Sequence, residues 1–168
     1  MVPQIVRVRR YETEDAHQVI QLVAEFRLAL SSLRLQGGPP DCNSSRQELD
    51  ECFNRGFPVF VAEDEERKIV GYMVCRVDGD VVWAESLYVS DRVRRQGTGS
   101  ALYSEAEHLA DSLGGGTVYN WVHPNNHVVI SFLGKRGYKV LNLIEIRGPR
   151  KGERPGSRIQ VGAHKFDY

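Results

Sequence analysis

The sequence predicts an α/β fold in which a mixed central sheet of about seven strands is flanked by helices on both faces. Segments rich in β-branched and aromatic residues alternate with segments of helical periodicity in the order β-α-α-β-β-β-α-β-α-β-β. The chain has 168 residues, 41% of them hydrophobic, which is enough apolar material for one core. Neither a repeat nor a linker interrupts the pattern, so we expect a single domain over residues 1–168.

The N-terminal third predicts one strand and two helices. Alternating apolar residues indicate a strand over 4–10, and the helix after it ends at the Gly-Gly-Pro-Pro run of residues 37–40. Ser45 and Glu48 have the spacing of a capping box, which predicts a second helix over 45–55.

The middle of the chain predicts a three-stranded antiparallel meander, followed by a helix. Its strands are expected at 58–63, 69–77 and 81–89, because these β-rich runs are separated by short turn sequences. Apolar residues at helical spacing after a glycine pair predict a helix over 98–112. Four aromatic residues on strands are expected to belong to the core, namely Phe60, Tyr72, Trp83 and Trp121.

The last part of the chain predicts three more strands and one helix. A short strand is expected over 118–122, and a helix follows from near Pro124 to Lys135. Alternating patterns then predict strands over 138–146 and 159–166.

Composition excludes several classes of protein. The 22 basic and 22 acidic residues cancel, so neither nucleic acid nor a membrane is an expected partner. The three cysteines include no CxxC pair, which is typical of a reducing compartment. No apolar run approaches the roughly 20 residues of a membrane span, and the first ten residues lack the apolar centre of a signal peptide. These features predict a cytoplasmic protein.

A histidine pair is the only metal-like spacing that the sequence suggests. His123 and His127 are four residues apart, but Pro124 indicates that the helix begins between them, and no third ligand is near. We therefore expect no metal.

The most informative segment is LYVSDRVRRQGTG, residues 87–99. Glycines let the main chain approach a ligand closely, and unpaired amides at the start of a helix bind phosphate. The Walker pattern GxxxxGK[ST] does not occur in the sequence, and GxGxxG fails because Leu102 stands at its third glycine. Residues 94–99 instead fit the pattern [RQ]xxGx[GA] at each defined position.

This loop resembles that of the GNAT superfamily of acetyl-CoA-dependent N-acetyltransferases, and the resemblance extends over nearly the whole chain in the family's element order. A second segment, NHVVISFLGKRGY at residues 126–138, is similar to the family's NxxAxxLYxxxGF motif. The resemblance implies acetyl-CoA as cosubstrate, with pantetheine along Leu87, Tyr88 and Val89 and with Asn126 bonded to its arm. It places the pyrophosphate on the main chain of the loop, where the expected binding residues are Arg94, Arg95, Gln96, Gly97, Thr98, Gly99 and Ser100.

Acetyl transfer to an amine requires a base, donors for the oxyanion and stabilisation of the thiolate. We expect the splayed strand at 87–89 to offer backbone N–H groups to the thioester oxygen. Glu85 is the candidate base, because strand alternation would place it on the same sheet face as Leu87. The alternatives are a surface glutamate, a residue that only positions substrate, or proton transfer through a chain of waters.

The leaving-group acid is where the sequence departs from the family pattern. The family often has a tyrosine on the second-motif helix, and Leu133 occupies that position. Ser131 would point to nearly the opposite side of the helix, while His127 and Tyr138 would need a different geometry. The thiolate would then leave unassisted or through water.

The expected function is acetyl transfer from acetyl-CoA to a primary amine by direct attack in a ternary complex. Several acidic residues near the predicted second helix favour a cationic small molecule or a protein amine as acceptor, namely Asp41, Glu48, Asp50 and Glu51. The alternative is a non-catalytic acyl-CoA-binding or regulatory domain in which Leu133 marks lost chemistry. A final strand that could pair across chains makes a homodimer a candidate assembly.

Overall fold

The computed structural model describes residues 6–33, 42–152, 154 and 156–167. The chain divides into two compact units, one up to Ile130 and one from Ser131 onward. The expected single domain over residues 1–168 stays a prediction. Among the described residues, no helix combines the length and apolar character needed to cross a membrane.

A mixed five-stranded sheet organises the first unit. Its strands lie in sequence order across the sheet: β1 (Arg7–Arg10), β2 (Val59–Glu63), β3 (Ile69–Asp78), β4 (Val81–Val89) and β5 (Val118–Asn120). The pairs β1–β2, β2–β3 and β3–β4 are antiparallel, which confirms the predicted meander of β2, β3 and β4, whereas β5 is parallel to β4. The parallel pair needs a crossover, which the helix between β4 and β5 supplies.

The main helices are α1 (Ala16–Leu33), α2 (Cys42–Asn54), α3 (Thr98–Ser112) and α4 (His127–Lys135). Helix α1 buries apolar side chains against one face of the sheet, in a core that includes Val19, Val23, Val61, Tyr72, Val74 and Tyr88. Helix α3 begins and ends where the sequence predicted. It comes close to the sheet at Gly71, where an added Cβ would lie 3.1 Å from Leu102 Cδ1. Since Gly71 and Tyr72 are adjacent on β3, α3 and α1 cover opposite faces.

The predicted capping box at Ser45 and Glu48 is wrong. Helix α2 begins at Cys42, so Ser45 lies inside it and is buried. Glu48 instead forms an ion pair with Arg27 of α1, with 2.6 Å between Nε and Oε2. The capping box that the structure contains lies at Glu12 and Asp15, at the start of a short 3-10 helix before α1.

The second unit contains the end of α4 and a two-stranded antiparallel sheet of β6 (Arg158–Val161) and β7 (His164–Asp167). The sequence predicted one strand over 159–166, but a turn at 162–163 divides the segment into a hairpin. The predicted strand over 138–146 is also wrong, because these residues form no strand with the described part of the chain. Alternation shows which side chains could share a face, but a strand also requires a partner for its backbone.

Candidate functional site

Strand β4 separates from β5 halfway along its length. Their parallel pairing covers only Val82 to Ala84, opposite Val118 to Asn120. The second half of β4 pairs only with β3, on which Leu87 faces Met73 and Val89 faces Gly71. Residues 85–89 therefore present one edge that is unpaired within the described sheet, and its backbone groups are open to another partner.

A β-bulge interrupts β4 at Glu85. Ala84 pairs with Cys75 and Ser86 pairs with Val74, so Glu85 has no partner on β3. The Glu85 carboxylate lies toward Arg76, with 3.9 Å from Oε2 to Nε, whereas Leu87 is paired with Met73 on the opposite face. The expectation that Glu85 and Leu87 share a face is therefore wrong, because the extra residue of a bulge breaks strand alternation.

The loop after β4 is held in place by Arg94. Its Nε donates to the carbonyl oxygen of Val89 at 2.9 Å, and its Nη1 lies 2.6 Å from Asp91 Oδ1. Its guanidinium also lies over the ring of Tyr88, with Cζ 5.1 Å from the centroid. Burial raises the pKa of Tyr88 to about 12, so this phenol stays protonated at neutral pH. Arg94 thus stabilises the conformation of the loop through these contacts, and it also places a positive charge beside the loop.

Two left-handed residues shape the loop before α3. Arg95 has a φ of 61° and Gly97 has a φ of 91°. The sharp turn brings the chain directly into α3, whose first residue is Thr98. The main-chain N–H groups of Thr98, Gly99 and Ser100 belong to the first turn and therefore have no intrahelical acceptor. This opening offers a row of amides and the positive end of the helix dipole.

The hydroxyl of Thr98 is the second unusual feature of this opening. Thr98 is 1% exposed, and its Oγ1 has no hydrogen-bond partner among the described residues. Buried hydroxyls are normally satisfied, so an unpaired one calls for a ligand or an ordered water. Thr98 is the first residue of α3, so this hydroxyl belongs to the same helix turn as the amides that lack intrahelical acceptors.

Asn126 lies directly before α4. Its Oδ1 accepts a hydrogen bond from the amide of Val129 at 3.3 Å, so it caps the helix. The structure thus gives this residue a local role, and one side-chain oxygen is already in use. Helix α4 begins at His127 and carries Leu133 on its last full turn, where the family often has a tyrosine.

The prediction that four strand aromatics belong to the core is confirmed for two of them. Phe60 and Tyr72 are buried as predicted. Trp121, by contrast, is 67% exposed and lies just beyond β5, next to Trp83 with 5.0 Å between ring centroids. The guanidinium of Arg76 lies over both indoles. Nothing in the sequence marks Arg76 as a site residue except its place two residues before Asp78, where β3 ends and the turn to β4 follows.

No group of three or more His, Cys, Asp or Glu side chains within the described ranges is arranged to hold a metal ion.

Solved structures show which class of fold this is. An acetyltransferase of the GNAT family from Staphylococcus aureus superimposes with a TM-score of 0.64 at 14% identity, covering 94% of each chain. PaiA N-acetyltransferase from Thermoplasma acidophilum, solved with coenzyme A, gives 0.70 at 19% identity, covering 83% of this chain and 93% of its own. The aminoglycoside 6'-N-acetyltransferase AAC(6')-IG from Acinetobacter haemolyticus gives 0.67 at 13% identity, covering 86% and 98%. The fold is that of the N-acetyltransferases.

The family assignment comes from sequence. The model of the acetyltransferase (GNAT) family matches residues 25–138, which include α1 from its middle, the whole meander, the glycine loop and α4. This protein belongs to the acetyltransferase (GNAT) family and is an acyltransferase. A search of curated protein sequences found no match.

Proposed function

We propose that this protein transfers the acetyl group of acetyl-CoA to a primary amine by direct attack in a ternary complex. The observation that carries the proposal is the opening of α3, where free amides and the unpaired hydroxyl of Thr98 lie together. A pyrophosphate needs such a set of donors at the positive end of a helix dipole.

The residues of the loop before α3, of β4 and of the start of α4 suit acetyl-CoA as cosubstrate. The amides from Arg95 to Ser100 would bind the pyrophosphate, and Gly97 leaves the main chain accessible, since nothing lies within 4 Å of where its Cβ would be. Leu87, Tyr88 and Val89 would line the pantetheine arm at the unpaired edge of β4. Asn126 would contribute its side-chain amide group, because its oxygen already caps α4. PaiA N-acetyltransferase, which shares this fold, was solved with coenzyme A.

Glu85 is proposed as the base that removes a proton from the acceptor ammonium. Its side chain is 37% exposed and lies in the bulge at the point where β4 leaves β5. The thioester of acetyl-CoA supplies an activated acetyl group. Alternate backbone N–H groups of β4 point away from β3, and those within residues 87–89 that face the unpaired edge would donate to its carbonyl oxygen. No side-chain donor stands at Leu133, so the thiolate would leave unassisted or take its proton from water.

The acceptor is proposed to be cationic. Of the acidic side chains on α2, Glu48 is neutralised by Arg27, whereas Asp50 and Glu51 are exposed. Near the bulge, the two carboxylates of Glu85 and Asp78 face the single guanidinium of Arg76, which leaves a net negative charge there. A protonated amine would be attracted to this group of charges. Both a small molecule and a protein amine meet this description.

Calorimetric titration with coenzyme A, followed by thiol release from acetyl-CoA in the presence of a set of amines, tests the proposal. We expect saturable binding and amine-dependent release. Saturable binding with no release on any amine would support the non-catalytic alternative. A titration without heat, with acetyl-CoA also failing to raise the melting temperature, would remove the cosubstrate and with it the proposed reaction.

A further inference from the structure

Arg76 and the two tryptophans form a cluster on one sheet face, and we call it the indole cluster: Arg76, Trp83 and Trp121. Arg76 on β3 pairs with Trp83 on β4. Its Cζ lies 5.0 Å from the ring centroid of Trp83 and 4.8 Å from that of Trp121. A guanidinium against two indoles is fixed in position by stacking and cation–π attraction.

The indole cluster lies on the same face of the sheet as α1, which covers that face at the earlier β3 residues Tyr72 and Val74. Arg76 alternates with Val74 and Tyr72, which belong to the core beneath α1. The Glu85 carboxylate is on this side as well, 3.9 Å from Arg76 Nε. The cluster therefore lies directly beside the proposed base.

Arg76 uses none of its hydrogen-bond donors within the described part of the chain. Its side chain is only 20% exposed, and its buried Nε has no hydrogen-bond partner. Asp78 Oδ2 and Glu85 Oε2 are nearby, and both come closest to Nε rather than to the outer nitrogens. No hydrogen bond joins Nη1 or Nη2 to any described residue, so these outer nitrogens remain available to a ligand beside Glu85. A held guanidinium with a free edge is complementary to a carboxylate, which it can bind through two parallel hydrogen bonds.

From this geometry we infer that the acceptor is an amino acid or a close analogue, whose carboxylate binds Arg76 while its ammonium lies at Glu85. The inference rests on the proposed function and names its acceptor. One carbon carries both groups in an α-amino acid, so they are separated by a short distance, as Arg76 and Glu85 are. The remaining group would pack on the exposed indole of Trp121, which favours a flat or apolar side chain.

Charge balance is compatible with this assignment. Arg76 contributes one positive charge, and Glu85 and Asp78 contribute two negative charges. A zwitterion offers a partner to each sign, whereas a simple amine leaves the guanidinium edge unused and a simple acid meets two carboxylates. An α-amino acid is thus the smallest ligand that pairs both Arg76 and Glu85.

Fluorescence reports on this cluster directly, because the chain has only two tryptophans and both belong to it. Three probes with the same aromatic ring separate the contributions: L-phenylalanine, L-phenylalaninamide and 2-phenylethylamine. They are titrated into the coenzyme A-saturated protein at a pH where all three amines are protonated. We expect L-phenylalanine to bind about 10- to 100-fold more tightly than the other two, which is the usual effect of a charge-assisted hydrogen-bonded pair.

Variants assign the preference to Arg76. Arg76→Gln should remove the preference for the acid over the amide, and Arg76→Lys should restore only part of it, because lysine lacks the two-pronged edge. Arg10→Gln is the matched control, since Arg10 also lies over an aromatic ring, that of Phe60, on a different part of the sheet. It should leave the preference unchanged.

Each outcome decides the inference. Equal affinity for the acid and the amide, tighter binding of 2-phenylethylamine, or no fluorescence change with any probe would overturn it. The comparison of the three probes uses the unmodified protein, so a variant that fails to fold does not obscure the result. Coenzyme A calorimetry and amine-dependent thiol release are measured in parallel. If those succeed while L-phenylalanine shows no preference, only the acceptor assignment fails and the proposed function stands.

Discussion

Thr98 buries an unpaired hydroxyl at the first residue of α3, directly after Gly97, whose left-handed backbone turns the loop into the helix. Gly97 supplies the conformation, and Thr98 supplies a hydroxyl that has no hydrogen-bond partner in the described part of the chain. The two can be tested independently, because one substitution changes only the hydroxyl and the other changes only the backbone preference.

Replacing Thr98 by Val should leave the free protein as stable as before or more stable by about 1 kcal/mol, because an unsatisfied buried hydroxyl is removed at nearly constant shape. Affinity for coenzyme A should instead fall by about 2- to 10-fold, as expected for one lost hydrogen bond. Urea denaturation and calorimetry measure the two effects. A less stable free protein with unchanged coenzyme A affinity would show that the hydroxyl has a structural role only.

Gly97→Ala should weaken coenzyme A binding by imposing a side chain on a φ of 91°. Open space surrounds the position, so the added methyl group meets no neighbouring atom. The expected loss of folding stability, about 1–3 kcal/mol, therefore comes from backbone strain alone. Gly56→Ala is the control, because Gly56 has a φ of 71° and is equally open but lies at the end of α2. Both variants should lose similar stability in thermal unfolding, and only Gly97→Ala should lose affinity. Equal coenzyme A affinity in the two variants would argue against a ligand at the loop.

The sequence predicted those elements whose signals are local. Helix α3 follows from a glycine pair and a helical apolar pattern, and the three strands of the meander follow from β-rich runs between turns. Features that depend on a distant partner were mispredicted. Glu48 matched a local cap pattern, but it pairs with Arg27 across the helix pair. Trp121 matched a strand pattern, but the strand ends one residue earlier and leaves the indole exposed.

The position of the proposed cosubstrate loop in the fold could be predicted from the sequence, whereas the surroundings of the proposed acceptor site could not. Gly97 and Thr98 could be located from a motif, since the six residues that define the turn before α3 are consecutive in the sequence. The side of the sheet to which Glu85 points depends on a bulge, and a bulge is a mismatch between two strands that neither strand shows alone. Arg76 was missed for the same reason, because its aromatic neighbours come from β4 and from beyond β5.

Glu85→Gln should lower kcat by about 100-fold or more, as expected for removal of a general base, while coenzyme A affinity changes by less than about 2-fold. The glutamine retains the size of the side chain, so the bulge should persist. Glu65→Gln, in the exposed turn between β2 and β3, serves as the control and should be indistinguishable from the unmodified protein. Steady-state thiol release with a saturating amine measures the effect. Unchanged kcat in Glu85→Gln would remove this residue from the role of base.

Asp15→Asn should destabilise the fold at neutral pH, with an effect that disappears in acid. Burial works to raise the pKa of Asp15, but hydrogen bonds from Arg9 and from the Glu12 amide outweigh it, so the pKa is lowered overall. A carboxylate with a lowered folded-state pKa stabilises the protein above its unfolded pKa of about 4, and this contribution is lost as the pH falls through the folded value.

We therefore expect a loss of about 1–3 kcal/mol for Asp15→Asn in urea denaturation at neutral pH, and a much smaller loss well below pH ~4. Glu66→Gln breaks an exposed ion pair with Lys68 and should cost less than about 1 kcal/mol at either pH. A difference for Asp15→Asn that stays constant with pH would contradict the ionic role of this residue.

The three thiols should react with a disulfide reagent in a defined order. Cys42 is exposed, Cys52 is partly buried and Cys75 is buried. Burial, with a further contribution from Glu48, raises the pKa of Cys52 to about 11, and burial raises the pKa of Cys75 to about 12. Since only the thiolate attacks, both buried thiols should react slowly at mildly alkaline pH, and Cys52 should accelerate as the pH rises toward 11. Cys42→Ser should remove the fast phase, and denaturation should expose the remaining two thiols. A fast phase that survives Cys42→Ser at mildly alkaline pH would contradict this order and would mean that α2, which packs Cys52 against the core, opens readily.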